Sequence, residues 1–324
     1  MGQPEPFYSG RLLLRIKFGG ELLHMFQYSP LRYPGGKAKL SGYLKSIIES
    51  NDLFDGHYVE TYAGGAGVAI CLLMHEYVST ITINDLNKSI YAFWHSVLNE
   101  TEELCRRIHD TEVTIENWDI QKNIQKNSEN EDVPLLDLGF STFFLNRCNR
   151  SGIIKGGIIG GRNQTGAWKI DARYNKKDLV KRIENIALYR NRIRLFNQDA
   201  EAFIRNIVPN YPLKTLVYLD PPYYNKGQGL YENHYKPEDH KKVYQEIVEN
   251  LTHKWIVTYD NVPEIKEIYS DFRQKEYSLN YSAANRYKGS EVMVYSNNII
   301  IPDTQLGIVV ETSSSEATID STAL

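Results

Sequence analysis

Nine residues, Leu216-Val217-Tyr218-Leu219-Asp220-Pro221-Pro222-Tyr223-Tyr224, restrict this chain more than any other stretch. The first four are apolar and partly β-branched, the pattern of a buried parallel strand. Two prolines then end the strand, because neither can donate to a ladder and Pro222 also restricts Pro221. A rigid, extended turn results at the carboxyl end of a strand, where open α/β sheets bind ligands. It presents one carboxylate, two carbonyls with no N–H of their own, and aromatic rings. That set suits a planar base with an exocyclic amine: Asp220 and a proline carbonyl accept its hydrogens while Tyr223 stacks on the ring. The plain alternative is a strand that ends in a proline-rich turn.

A second unit fits the same sheet. Tyr58–Tyr62 reads as a strand, Ala63-Gly64-Gly65-Ala66-Gly67 as the turn after it, and Val68–Met74 as an apolar helix. A strand, a glycine turn and a helix form the first unit of a Rossmann-like sheet, and the glycines let a ligand approach the backbone. The turn lacks the G-x-G-x-x-G spacing of a dinucleotide site, and no P-loop is present. Tyr62, just before the turn, suits an adenosyl group better than a phosphate. Upstream, Tyr33-Pro34-Gly35-Gly36-Lys37 makes a tight turn that delivers Lys37 ahead of a helix over about 39–50. Val78–Asp85 is a second strand that ends in an acid, eighteen residues after Gly67. Asp85 is placed to hold a ribose diol, with a cap on helix 88–98 as the competing role. Ile193–Asp199 is a third strand, and Asp199 either accepts from an adenine amine or caps the next helix. A helix over 200–208 leads back to Asp220.

Charge divides the middle of the chain. Residues 99–137 hold eleven acids against four bases, a pattern of solvated helices. Residues 141–195 hold thirteen bases against three acids, a balance of +10 in a chain whose total is −3. That is an electrostatic footprint for phosphates. Within it, six glycines between Gly152 and Gly166 alternate with Ile-Ile pairs, and the spacing predicts a β-hairpin able to enter a major groove. Arg147, Lys155, Arg162, Asn163, Gln164 and Lys169 are the candidate DNA contacts. The alternative is a loop with scattered charges. Farther on, Asn225–Tyr235 forms a polar loop with His234 and Tyr235 as candidates for closing over a base. Arg286 and Lys288, in a basic turn, make a second phosphate clamp.

The three cysteines form no CxxC and sit at no metal spacing with histidine, so no zinc or other metal and no disulfide is expected, and the compartment reads as reducing and cytoplasmic. No apolar run is long enough to span a bilayer. The expected division is an N-terminal extension over 1–24, a catalytic domain over 25–98 and 193–302, an inserted target-recognition domain over 99–192, and a disordered Ser/Thr-rich tail over 303–324.

Together these pieces resemble the Dam-type, alpha-group N6-adenine-specific DNA methyltransferases. The order matches over about 28–300: Tyr-Pro-Gly-Gly-Lys, the glycine turn, an insertion opened by Phe143-Phe144-Leu145-Asn146-Arg147 and Ser151-Gly152, then Asp-Pro-Pro-Tyr. Thr61 stands where the family usually has proline, Tyr62 where it has phenylalanine, and Ala66 at a frequent glycine. The resemblance implies an α/β Rossmann-like methyltransferase sheet of seven strands, with an inserted, mainly helical recognition domain carrying the hairpin. It implies S-adenosyl-L-methionine as methyl donor, with Tyr33, Lys37, Tyr62, Gly64, Gly65, Asp85, Asp199 and Asp220 around it. It also implies Asp220, Pro221, Pro222 and Tyr223 as the catalytic set, acting on an adenine flipped from duplex DNA. A prokaryotic or phage origin and, as a functional partner, a cognate restriction endonuclease go with it. The competing readings are an amino-methyltransferase acting on cytosine N4, RNA or glutamine, and an inactive DNA-binding relative. The former more often begin the tetrapeptide with Ser or Asn, and the latter would lose Asp220 or the glycine turn.

Overall fold

The computed structural model describes residues 15–18, 21–24, 28–33, 37–128, 132–225, 235–281 and 287–303. Its centre is a sheet of seven strands: β1 (Gly56–Glu60), β2 (Val78–Asn84), β3 (Ile193–Phe196), β4 (Thr215–Leu219), β5 (Lys254–Asp260), β6 (Arg273–Tyr281) and β7 (Tyr287–Tyr295). Their spatial order is β3-β2-β1-β4-β5-β7-β6. The first five strands run parallel, and β7 inserts antiparallel between β5 and β6. The strand order reverses between β1 and β4, which is where such sheets open a crevice at their carboxyl ends. Outside the sheet, Arg15–Phe18 and Glu21–His24 form an antiparallel pair within the expected extension.

Alternation along the strands explains why both faces are covered. Tyr58, Leu216, Tyr218, Ile256 and Met293 point into one core; their neighbours Val59, Val217, Leu219, Val257 and Val292 point into the other. Side chains of successive strand residues face opposite sides, so a run such as Leu216–Leu219 needs helices on both. The first face is covered by α1 (Ser41–Ser50), α2 (Gly67–Met74) and α3 (Lys88–Asn99). The second is covered by α8 (Ala200–Asn206), α9 (Pro237–Asn250) and α10 (Pro263–Ile268).

Residues 99–192 contain α4 (Thr101–Asp110), α5 (Ile115–Asn127), α6 (Leu135–Cys148) and α7 (Lys176–Ala187). These helices extend the first core rather than making a separate one, since Leu104, Phe143, Phe144 and Leu179 share it with Phe93 and Trp94. The contact of α6 with α3 depends on Gly139. A Cβ there would lie 2.5 Å from the Ala92 carbonyl oxygen and collide with Ser96 Oγ. Forcing a methyl into such a seam costs about 1–3 kcal/mol.

The predicted hairpin between Gly152 and Ile170 does not form. The segment is a run of turns, joined to α6 by one isolated antiparallel bridge between Asn149 and Ile158. Left-handed backbone at Ser151, Gly152, Gly160, Gly161 and Gln164 accounts for this, because residues at positive φ cannot propagate a ladder. The acidic and basic stretches also pair with each other. Arg162 binds Asp119 of α5 through both guanidinium nitrogens, and Lys176 donates to the His109 carbonyl at the end of α4.

Candidate active site

Asp220 stands immediately after β4, beside the end of β1, whose Glu60 pairs in register with Tyr218. Its Oδ1 accepts from Thr258 Oγ1 on β5 at 2.8 Å and lies 3.2 Å from Lys37 Nζ. Thr258 is in turn bonded to the Tyr218 hydroxyl at 2.8 Å. Every contact that Asp220 makes among the described residues falls on Oδ1, and its side chain keeps 21% of its exposure. Burial raises its carboxyl above the ordinary aspartate range; Lys37 opposes that rise, and Glu291 adds to it.

Glu291, on β7, is the part that sequence reading missed. It is 1% exposed and accepts from Lys37 Nζ at 2.7 Å, from the Tyr223 hydroxyl at 2.5 Å and from the Tyr277 hydroxyl. Lys37 also donates to Tyr223 Oη at 2.9 Å, and its ammonium lies 5.1 Å from that ring's centroid. A buried ammonium needs anionic partners to offset its lost hydration, and Lys37 has two. The expected stacking face on Tyr223 is therefore not presented: the residue is 5% exposed and held by its hydroxyl. The prolines beside it, Pro221 and Pro222, are buried as well. A second missed acid, Asp260, ends β5 and accepts from the backbone N–H groups of Tyr224 and Asn225 at 2.9 and 3.0 Å. That carboxylate fixes the exit of the turn.

The glycine turn meets the segment before Lys37. Gly64 has φ of +46°, and a Cβ on it would lie 2.7 Å from the Tyr33 ring. A Cβ on Gly65 would lie 3.3 Å from Tyr33 Cβ. The Gly64 N–H donates to Asp85 Oδ2 at 2.8 Å, and its carbonyl accepts from Trp94 Nε1 at 3.0 Å. Asn87 caps α3, while Asp85 spans the glycine turn and the entry to that helix, its Oδ1 accepting from Asn87 N–H at 2.9 Å. Asp199 does cap its helix, accepting from Glu201 and Ala202 N–H through Oδ1. Tyr62 turns to the second face, its hydroxyl 3.2 Å from that of Tyr235. Glu60 lies under the turn at 5% exposure, and its Oε2 has no partner among the described residues. Burial, with Asp220 and Asp85 nearby, pushes its carboxyl well above the usual range.

An unpaired, buried carboxyl oxygen beside a glycine cradle fits the ammonium and adenosyl parts of a cofactor such as S-adenosyl-L-methionine. Among the described residues, no group of three or more His, Cys, Asp or Glu could hold a metal ion. None of the described helices is long and apolar enough to cross a membrane.

The expected DNA contacts are placed differently. Lys155, Arg162, Asn163 and Lys169 are exposed. Arg162 is paired with Asp119, and Lys169 Nζ donates to the Gln164 and Gly166 carbonyls. Gln164 spends its amide inside the loop, donating to the Ile159 and Gly161 carbonyls and accepting from Ile170 N–H. It is a loop-forming residue in place of a base reader. Arg147 donates to the Arg173 and Pro30 carbonyls. His234, Arg286, the side chain of Lys288 and the Pro34–Gly36 turn lie outside the described residues.

Several solved structures match the chain at low identity. A SAM-dependent methyltransferase from Agrobacterium tumefaciens is 11% identical, with 80% of this chain and 61% of that one covered and a TM-score of 0.37. The rRNA methyltransferase aviRa from Streptomyces viridochromogenes is 12% identical, covering 82% and 88% with a TM-score of 0.39. TrmK of M. capricolum, solved with S-adenosyl-homocysteine, is 7% identical, covering 78% and 69% with a TM-score of 0.33. No curated protein sequence matches the chain. The model of one sequence family matches residues 33–283, from Tyr33 through the glycine turn, the insertion, Asp220 and the whole of β6. The chain belongs to the D12 class of N6 adenine-specific DNA methyltransferases, whose methyl donor is S-adenosyl-L-methionine.

Proposed function

We propose that this chain transfers a methyl group to the N6 amine of an adenine in duplex DNA, in the manner of the Dam-type enzymes. One observation carries the reading: Asp220 is held at a sheet end with its bonds gathered on Oδ1, leaving Oδ2 toward a substrate. S-adenosyl-L-methionine supplies an electrophilic methyl on a cationic sulfur. Glu60 would hold its ammonium, Gly64 and Gly65 would let it approach the backbone, and Asp85 would take the ribose.

The adenine amine is a poor nucleophile because its lone pair is delocalised into the ring. Asp220 Oδ2 and the Pro221 carbonyl accept its two hydrogens and favour a tetrahedral nitrogen. Lys37 favours the ionised form of Asp220 against the pull of burial, and Asp260 keeps the turn in place. This contribution is orientation and fixed charge. The base reaches the site by leaving the helix, at a cost of a few kcal/mol.

Purified protein, labelled methyl donor and mixed-sequence duplex test the proposal. Digestion to nucleosides should yield N6-methyl-2′-deoxyadenosine and no N4-methyl-2′-deoxycytidine, with RNA unmodified. Asp220→Ala should abolish transfer and leave duplex affinity within about twofold. Wild-type rates from that variant would refute the role of the acid.

A further inference from the structure

Four arginines meet where the insertion touches the segment ahead of Lys37. Arg147 Nε donates to the Arg173 carbonyl at 2.6 Å, and its Nη1 donates to the Pro30 carbonyl at 3.4 Å. Arg182 Nη1 donates to the Ser29 carbonyl at 3.3 Å, and Arg32 Nη1 to the Asn149 carbonyl at 3.2 Å. Asn146 fastens the same segment, accepting from Arg32 N–H and donating to the Arg32 carbonyl, both at 2.7 Å. Among the described residues, Arg182 alone of the four has a carboxylate at ion-pair distance, Asp178 at 2.7 Å. Gathering guanidinium groups with so little acid is unfavourable in the free protein. The cost shows at Arg147, which burial and then Arg32 and Arg182 push down to about 9.

The rim of this cluster carries Trp168. It is 66% exposed, whereas Trp94, Trp118 and Trp255 are 0%, 8% and 3% exposed. The Arg173 guanidinium lies 5.6 Å from its ring centroid. A large aromatic plane left in water, backed by a cation and carried on a run of turns, has the make-up of a base-stacking platform.

We propose that Arg32, Arg147, Arg173 and Arg182 seat the phosphodiester backbone of duplex DNA, with Trp168 stacking on a base unstacked from the helix. The inference rests on the DNA reading above; it keeps Arg147 from the expected contacts and adds Arg32, Arg173, Arg182 and Trp168, whereas the Gln164 amide is used inside the loop. It also joins DNA binding to catalysis mechanically, because the segment these arginines hold runs into Tyr33, the ring that covers Gly64.

Tryptophan emission tests this directly, since the other three indoles are shielded. Titration of the wild-type chain with a short mixed-sequence duplex should quench emission, and Trp168→Ala should remove most of the quench. Stacking on one base supports roughly a tenfold loss of duplex affinity in that variant, with Trp168→Phe keeping most of it. Arg173→Gln and Arg182→Gln should each lower the slope of log affinity against log salt by about one. Thermal melts and cofactor titration confirm that each variant is folded. Polyglutamate, which has charge but no planar bases, should neither quench nor compete well. Duplex binding with unchanged emission, an unweakened Trp168→Ala variant, or equal quenching by polyglutamate overturns this face and leaves the DNA reading standing. A wild-type chain that binds no duplex at low salt overturns both.

Discussion

Replacing Lys37 by methionine removes the cation that, among the described residues, bridges Asp220 and Glu291, while nearly keeping the side chain's volume. At an effective dielectric constant of about 20, the ammonium attracts Asp220 by about 5 kcal/mol at 3.2 Å and Glu291 by about 6 kcal/mol at 2.7 Å. Dehydration of all three groups offsets much of this, and breaking such a buried set by removing one partner costs about 3–5 kcal/mol. Methyl transfer should fall by about a hundredfold or more, as when one preorganised electrostatic partner is lost. The pH dependence is the discriminating result. Burial already raises Asp220, and without Lys37 to oppose that rise it holds its proton still more tightly in the folded chain than in the unfolded chain. A raised folded-state value means that ionisation penalises the fold, so the penalty grows as pH rises and fades as the acid protonates. The variant should therefore trail wild type by several kcal/mol near about pH 8 and recover much of the gap near about pH 5. Urea unfolding across that range measures the gap. The acidic limb of the variant's transfer rate should also move to higher pH. A loss of stability that is the same at both ends of the range would refute the charge argument and leave only packing.

Other expectations follow from single residues. Gly64→Ala sets a Cβ against the Tyr33 ring at left-handed φ, so it should weaken cofactor binding and cost about 1–3 kcal/mol of stability. Isothermal titration and thermal melts read the two effects, and adding Tyr33→Ala should relieve the clash but not the backbone strain. Glu60→Gln should weaken cofactor binding more than tenfold. Because burial raises the Glu60 carboxyl, the same change should stabilise the free chain at alkaline pH, where the wild type must ionise a buried acid. Unfolding curves with and without cofactor separate these effects. Asp220 lies above the ordinary carboxylate range, so the wild-type transfer rate should fall on acidification at higher pH than an unperturbed aspartate would give.

The sheet-end turn at Asp220 was legible because its causes are local: an apolar strand, then two residues that cannot extend a ladder. The glycine turn and the strand ending at Asp85 were legible for the same reason. Glu291 was not, because it reaches Lys37 across 254 residues and only through the insertion of β7 between β5 and β6. In the sequence it is one acid at the head of Val292-Met293-Val294-Tyr295. Glu60 was hidden similarly, inside a strand read for its apolar neighbours. The glycine-rich segment misled in the opposite direction. Its Ile-Ile pairs gave the alternation of a hairpin, but the left-handed residues bend the backbone into turns, and the Gln164 side chain makes the bonds a strand partner would have made. Net charge marked out a basic region, yet it could not show that Arg162 would be paired with Asp119 from the acidic stretch.

The last strand of the sheet has a bearing on how the chain is made. A growing polypeptide emerges from its amino end, so Lys37 and Asp220 are present long before Glu291 arrives. Until β7 threads between its neighbours, the ammonium lacks its second carboxylate and the Tyr223 hydroxyl lacks its acceptor. Under the proposed function, competence for methyl transfer is thus deferred until β7 has been made, and a fragment that stops short of it would lack a complete site.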